Sequence, residues 1–366
     1  MGMTLAILLL AIAVPPAVAQ TSDAAVTTIL ASNSGSALAA VRKARTGSQF
    51  VSSLSETELD THLARLLQWV VRSYGASGSL RLLSDAPEAT NGRGEANARL
   101  GVLKETYWLQ DNALYGAGAL KEYVPALGQY LENSWRTKWA QTFPKFCPDT
   151  QSGYVVGIVP AYDGNSTPSD PRCRLSRPGD WQYFRMNQYP SPKDPNFDTL
   201  PRPIIGTDYP ADENGQTQFA AIRKNSVRDL LKYGCLRQVM LGNSETAGHM
   251  FEAAFGQWDG NGFRNAKSGK NSASLQGIYW TRDLAFALMC ANALGVGSEG
   301  SWAGVSKSSI EQKLWASQSS TGGIWSNYCS GDNCGGDFIP GIAKQTNEIA
   351  PLVLLAYGPN IWHRVR

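Results

Sequence analysis

The stretch Tyr279-Trp-Thr-Arg-Asp-Leu-Ala-Phe-Ala-Leu288 decides the fold, because a second stretch, Tyr107-Trp-Leu-Gln-Asp-Asn-Ala-Leu114, repeats its pattern. Both copies begin with Tyr-Trp and place an aspartate four positions after the tyrosine. Alanines follow two and eight positions after each aspartate. A third stretch, Thr346-Asn-Glu-Ile-Ala350, shares the acid and both alanine spacings. Each copy predicts a helix with an acid in its first turn and a small, apolar body.

Helices that are apolar nearly all round are buried on most sides. An acid in the first turn is stabilised by the helix dipole, so capping is one interpretation of each acid taken alone. The tryptophan beside the acid in two copies favours a ligand site instead. Repeated hairpins with buried inner helices predict a mainly α fold, an α/α toroid whose inner helices start around one mouth. That arrangement brings Asp111, Asp283 and Glu348 together although they are far apart in the chain.

The motif at 279–288, followed by Ala291-Asn-Ala-Leu-Gly295, resembles the Trp-x-Arg-Asp helix of the glucoamylase family and of the wider six-hairpin glycosidases. The copy at 107–120 is similar to it, with glutamine in place of arginine. The loops at 258–263 and 322–326 resemble the Gly/Trp loops between toroid helices. The resemblance covers residues 100–140 and 226–360. Seven or eight predicted helices fall short of the family's twelve, so the toroid is predicted to be incomplete or divergent.

The resemblance implies a glycoside hydrolase-like protein acting on a poly- or oligosaccharide, with Arg282 and Asp283 binding sugar hydroxyls. A planar guanidinium and a carboxylate supply the donors and acceptors for that contact. Trp108 and Trp280 are predicted to flank this clamp and stack on sugar rings. No segment matches the family's general acid or its base.

Glycosidases use two carboxyl groups, one protonated and one ionised. We assign this pair to Asp111 and Glu348 without separate roles, and keep Glu105, Asp332 and Asp337 in reserve because each lies near a motif. Two alternatives stay open. One is a non-catalytic cell-envelope or carbohydrate-binding protein on a toroid scaffold, because a fold does not imply an activity. The other is a polysaccharide lyase, whose base would be a tyrosine or histidine near a cation; His249 stands apart from any such cluster.

The N-terminal residues predict export. An apolar run from Leu5 to Val14 ends at two prolines and precedes a small-x-small site, which is typical of a cleavable signal peptide over residues 1–19. Residues 20–50 are predicted to be a flexible lead-in. Residues 51–366 are predicted to form the toroid domain, with an irregular excursion over 142–215. A secreted or extracytoplasmic location follows from the leader.

Six cysteines in an exported chain favour disulfides. Cys329 and Cys334 bracket a turn-rich tetrapeptide and form the first candidate pair. Cys147 and Cys173 flank a Gly/Pro-rich loop and form the second. Cys235 and Cys290 lie in apolar helical patterns. They form either a further disulfide pair or two buried thiols.

Charge and composition limit the partners. Lys plus Arg is 33 and Asp plus Glu is 30, giving a net charge of +3, which is too balanced for a typical nucleic-acid-binding surface. The three histidines are isolated and there is no C-x-x-C, so neither a metal nor another cofactor is expected. No later segment is long and apolar enough for a membrane span. The sequence predicts a carbohydrate partner and leaves the sugar, the linkage and the oligomeric state open.

Overall fold

The computed structural model describes residues 16–30, 35–76, 81–84, 87, 107–108, 111–146, 161–162, 227, 229–263, 278–329 and 345–362. This part of the chain is mainly helical, as predicted, with few strands. The α-helices are α1 Pro16–Leu30, α2 Gly35–Arg45, α3 Glu56–Ala76, α4 Gly118–Tyr123, α5 Pro125–Phe146, α6 Arg237–Leu241, α7 Ser244–Phe255, α8 Thr281–Leu294, α9 Lys307–Ala316 and α10 Ala350–Tyr357. Two π-helices, π1 Asp111–Ala117 and π2 Asp229–Leu236, run directly into α4 and α6.

Three short antiparallel strand pairs join these helices. Strand β1 (Tyr107–Trp108) pairs with β2 (Ala161–Tyr162), and β4 (Ser301–Trp302) pairs with β5 (Val305–Ser306). Strand β3 (Ile278–Trp280) pairs with β6 (Asn327–Cys329) and leads directly into α8. Both Tyr-Trp copies therefore lie in strands that precede their helices, whereas the sequence predicted a helix beginning at Tyr107.

Helices α8 and α10 form the buried centre of the fold. Twelve of the fourteen residues of α8 and all eight of α10 are buried. The two helices run in the same direction, because Arg282 at the start of α8 contacts Glu348 just before α10, and Asn292 near the end of α8 donates to the carbonyl oxygens of Leu355 and Ala356 at the end of α10. Residues just before both helices, or in their first turns, therefore lie at one end of the pair.

Helix α9 returns antiparallel to α8. Lys307 at its start donates to the carbonyl oxygen of Gly297, just beyond the end of α8, at 3.0 Å. At the other end Thr281 N, at the start of α8, donates to the carbonyl oxygen of Ser326, and Trp325 N donates to that of Ser317, just beyond α9. Helices α8 and α9 therefore form an antiparallel hairpin.

Glycine permits the π-helices. In a π-helix each N–H bonds to the carbonyl five residues earlier. Gly116 lies five residues after Asp111, and a Cβ on Gly116 would lie 2.2 Å from the Asp111 carbonyl oxygen. In π2 a Cβ on Gly234 would meet the Met250 side chain at 3.0 Å. Larger residues at either position would force the turn or its neighbour apart.

The prediction of a flexible lead-in over 20–50 is corrected by α1 and α2. Helix α2 buries Ala37, Val41 and Ala44, and Arg42 and Arg45 both pair with the buried carboxylate of Asp60 on α3. This stretch has few aromatic or branched residues, so its composition does not reveal the small apolar face of α2. The predicted cleavage site after Ala19 falls within α1 and stays a prediction.

Several predicted features lie outside the described residues. They comprise residues 1–15 and most of the excursion over 142–215, of which α5 to Phe146 and β2 are described. None of the described helices is by itself long and apolar enough to cross a bilayer; only the bent pair Asp23–Leu30 and Gly35–Arg45 reaches the necessary length and composition together.

A buried acid joins α9 to the segment before α3 and gives a stability prediction. Glu311 is fully buried and accepts hydrogen bonds from Ser52 Oγ at 2.6 Å, Ser53 N at 2.7 Å and Tyr357 Oη at 2.8 Å. Glu311→Ala leaves the buried Tyr357 hydroxyl and the two serine donors without their acceptor and should lower the free energy of unfolding by about 1–3 kcal/mol. Denaturant titration measures the loss. Gln312→Ala, at an exposed position one residue along, should change it by less than about 0.5 kcal/mol; equal losses would contradict the proposed role of Glu311.

Buried tyrosines predict loss of stability in alkali. Burial raises the pKa of Tyr123, Tyr328 and Tyr357 above the usual value for tyrosine. The unfolded chain ionises these phenols near pH ~10 while the folded chain keeps them neutral. Their contribution is therefore complete below that pH and is lost as pH rises through the range up to their folded pKa values. Thermal unfolding from pH 8 to 11 should show a falling Tm, with a shallower fall in the Tyr123→Phe, Tyr357→Phe double variant; parallel curves would contradict this.

Candidate functional site

The site begins where β3 enters α8. Trp280 pairs with Asn327 across the two-stranded sheet, which fixes the strand up to the first residue of the helix. Arg282 and Asp283 follow in the first turn, where the free N–H groups and the helix dipole favour a carboxylate. Asp283 is buried, and Arg282 is partly buried.

An ion pair joins this turn to the residues before α10. Arg282 Nη1 donates to Glu348 Oε1 at 3.0 Å, and the two side chains keep 20% and 24% of their surface exposed. Arg282 Nε lies 3.9 Å from Asp283 Oδ1, a looser contact. The guanidinium stacks over the Trp280 ring at 4.7 Å from its centroid. Arg282 thus lies among two carboxylates and an aromatic face, with its closer ion pair to Glu348 and not to Asp283.

Glu348 lies in a turn and not in a helix. The sequence predicted Glu348 in the first turn of a helix, but α10 begins at Ala350. Glu348 N donates to Thr346 Oγ1 at 3.0 Å, and Ile349 N donates to the Thr346 carbonyl oxygen. The threonine hydroxyl satisfies a backbone N–H outside the helix, as short hydroxyl side chains often do. This turn sets Glu348 beside the start of α8.

Asp111 occupies the equivalent place at the start of π1. Its side chain is fully buried. The next residue, Asn112, accepts a hydrogen bond from Leu83 N at 2.6 Å and donates to the Leu83 carbonyl oxygen at 2.9 Å. This double contact fixes the first turn of π1 against residues 81–84.

The same short segment connects Asp111 with Glu348. Asn347 is fully buried and donates to the carbonyl oxygen of Ser84 at 2.7 Å and to Ser73 Oγ at 3.1 Å. Neighbours of both acids therefore bind adjacent residues of one segment. The Arg282–Glu348 ion pair joins the turn before α10 to the first turn of α8, and Asn347 and Asn112 fix this turn and the start of π1 against the same segment.

The opposite face of the β3–β6 pair carries a tyrosine cluster. Tyr279 and Tyr328 stack at 5.3 Å, and Tyr279 Oη donates to Asp259 Oδ2 at 2.9 Å. Tyr328 Oη donates to the Asn261 carbonyl oxygen at 3.0 Å. Burial raises the pKa of Tyr328, and so do the neighbouring Tyr279 phenol and the carboxylates of Asp283 and Asp259. Tyr328 is therefore a neutral donor that supports the loop at 258–263.

Other predicted site residues are not placed by the structure. Glu105, Asp332 and Asp337 lie outside the described residues, and Trp108 is described only as backbone in β1. Cys147, Cys173 and Cys334 also lie outside, and only the backbone of Cys329 is described, in β6.

The histidines do not join the site where they are described. His249 is exposed on α7. His62 stacks on Trp315 at 4.8 Å, and its Nδ1 lies 2.6 Å from Gln318 Oε1, so its contacts are with the scaffold. Within the described ranges no group of three or more metal-binding side chains occurs.

Sequence reasoning missed one further repeat. Arg228-Asp229-Leu230 has the same three residues as Arg282-Asp283-Leu284. π1 and π2 also share the pattern Asp-x-x-x-Tyr-Gly, and π2 begins at Asp229 as π1 begins at Asp111. The identical spacing from aspartate to Tyr-Gly in the two stretches could have revealed this repeat. It adds a second π-helix that begins with an aspartate.

Comparison with protein-family models, curated proteins and solved structures gave no match.

Proposed function

We propose that the chain is a glycoside hydrolase-like protein on an incomplete α/α toroid, acting on a poly- or oligosaccharide at the polar region around Arg282. Support for the toroid comes from the parallel, buried α8 and α10 and from the antiparallel outer helix α9. Each of π1, α8 and α10 begins with an acid in or just before its first turn. A ring of such helices places these acids around one mouth.

The observation that carries the proposal is the pairing of Arg282 with Glu348 beside Trp280. An exposed ion pair contributes little to stability. This pair is partly buried, lies against an aromatic ring and has a second carboxylate in the same turn. Sugars bind to such combinations of flat rings and charged hydrogen-bonding groups.

In the proposed mechanism Asp111 and Glu348 form the carboxyl pair. One protonates the leaving glycosidic oxygen, and the other activates a water molecule or attacks the anomeric carbon. A separation of ~6.5–9.5 Å between the carboxyl groups with bound sugar would give inversion, and ~5 Å would give retention. Arg282 orients Glu348 and contacts sugar hydroxyls together with Asp283.

A polysaccharide lyase would need a base that accepts a proton from a uronic acid. Tyr328, which follows the strand partner of Trp280, has a raised pKa, and its hydroxyl already donates a hydrogen bond to a backbone carbonyl. His249 is exposed on another helix. Hydrolysis is therefore favoured over elimination.

The test is a panel of soluble poly- and oligosaccharides incubated with the purified protein. Hydrolysis releases reducing ends without forming an unsaturated product. An unsaturated uronate product would identify a lyase, and saturable binding without any product would identify a carbohydrate-binding protein; either result overturns the proposal of a hydrolase. The absence of both binding and product across the panel would reject the carbohydrate site.

A further inference from the structure

The two cysteines whose side chains the structure describes meet in the core. Cys235 is the seventh residue of π2, and Cys290 lies in the second half of α8. Both are fully buried and unbonded, with their side chains in hydrogen-bonding contact at a separation of 3.3 Å. Cys290 Sγ also donates to the Leu231 carbonyl oxygen at 3.2 Å.

We propose that Cys235 and Cys290 form a disulfide bond that links π2 to α8. A disulfide has an S–S length of about 2.05 Å, so the sulfurs need to approach by about 1.2 Å, which small side-chain rotations can supply. The bond would tie π2 to the helix whose first turn carries Arg282 and Asp283. This inference concerns the scaffold and does not depend on the proposed hydrolysis.

The chemistry requires an external disulfide as oxidant. Each thiol loses its proton, and the two sulfurs together give up two electrons as the S–S bond forms. The external disulfide accepts the two protons and two electrons and becomes two thiols. The reaction passes through a mixed disulfide with one of the two cysteines.

Burial determines when the bond can form. Burial and the neighbouring Cys235 raise the pKa of Cys290, so its thiol stays protonated in the folded protein. Only the thiolate attacks a disulfide, and neither sulfur is accessible once the core has closed. The bond therefore forms while the chain folds, and we expect slow exchange afterwards.

The experiment refolds the full chain in a buffer of oxidised and reduced glutathione and then blocks free thiols after denaturation. Peptide mapping by mass spectrometry should find the 235-containing and 290-containing peptides linked, with two hydrogens fewer than the separate peptides together. Recovery of both peptides with blocked free thiols, or linkage of either to a different cysteine, would overturn the proposal.

A stability measurement provides the second readout. Protein refolded with and without reductant should differ in Tm by roughly 5–10 °C, because closing a long loop restricts the unfolded chain. In the Cys235→Ala, Cys290→Ala double variant that difference should shrink to the part contributed by the other four cysteines. A Cys147→Ala, Cys173→Ala variant is the matched control and should keep the linked peptide. An unchanged Tm difference in the 235/290 double variant would contradict the inference.

Discussion

Replacing Arg282 by alanine should reduce turnover of a cleaved glycan by about 10²–10³-fold, the usual cost of removing one charged group that stabilises a reacting centre. The change removes the 3.0 Å contact with Glu348 and leaves that carboxylate without its guanidinium partner. It also exposes the face of Trp280. Glu348 and Trp280 both contact Arg282, so binding and turnover should weaken together.

Arg282→Lys separates charge from geometry. Lysine keeps the positive charge but lacks the planar fork that pairs with a carboxylate and stacks on tryptophan. We expect the turnover of Arg282→Lys to lie between that of the wild type and that of Arg282→Ala.

Trp280→Ala should reduce turnover by only a few-fold, because stacking of a partly exposed cation contributes about 0.5–1 kcal/mol.

Initial rates of reducing-end release measure these effects. Arg72→Ala is the matched control, because Arg72 is exposed on α3 and donates to the Thr321 carbonyl oxygen, away from Glu348. Its rate should stay within about twofold of the wild-type rate. If Arg282→Ala and Arg72→Ala behave alike while both variants keep the wild-type Tm, Arg282 has no role in the site.

Glu348→Gln should reduce turnover by about 10²–10⁴-fold, the usual contribution of a general acid or base. The amide oxygen of glutamine can still accept from Arg282 Nη1, so the local contact and the Tm should survive. What is lost is the ability to carry a proton or a full negative charge. A small rate loss would instead mean that Glu348 only positions Arg282.

Rates across a pH series give a readout that a purely structural role would not change. Loss of one limb of the pH–rate profile in Glu348→Gln is expected if Glu348 is the acid or the base. Glu299→Gln, at an exposed position between α8 and β4, is the matched control and should keep the wild-type profile.

The central part of the fold could be predicted from the sequence, because periodicity and composition indicate which helices are buried. The alanine-rich stretch after Arg282 predicts a helix apolar on all sides, and α8 is buried nearly all round. Ser55-Glu-Thr-Glu58 predicts the start of α3, where Glu58 N donates to Ser55 Oγ. These features depend on neighbours within one or two turns.

What the sequence could not predict depends on contacts between distant segments. The π geometry of 111–117 requires glycine five residues after Asp111, and the tight fit of Gly116 against that carbonyl is visible only in the folded chain. The turn at Glu348 is set by the Thr346 side chain, which competes with helix formation. The partner of Arg282 proved to be Glu348, because the parallel packing of α8 and α10 outweighs adjacency to Asp283.

A double-mutant cycle on Asp111→Asn and Glu348→Gln tests the central claim most directly, with the rate of reducing-end release from the fastest-cleaved glycan as its readout. Residues that act as one catalytic unit show strongly non-additive losses. We expect each single variant to lose most of the activity and the double variant to be little worse than the poorer single one. Losses that multiply, or an Asp111→Asn variant with the wild-type rate, would contradict a shared carboxyl pair.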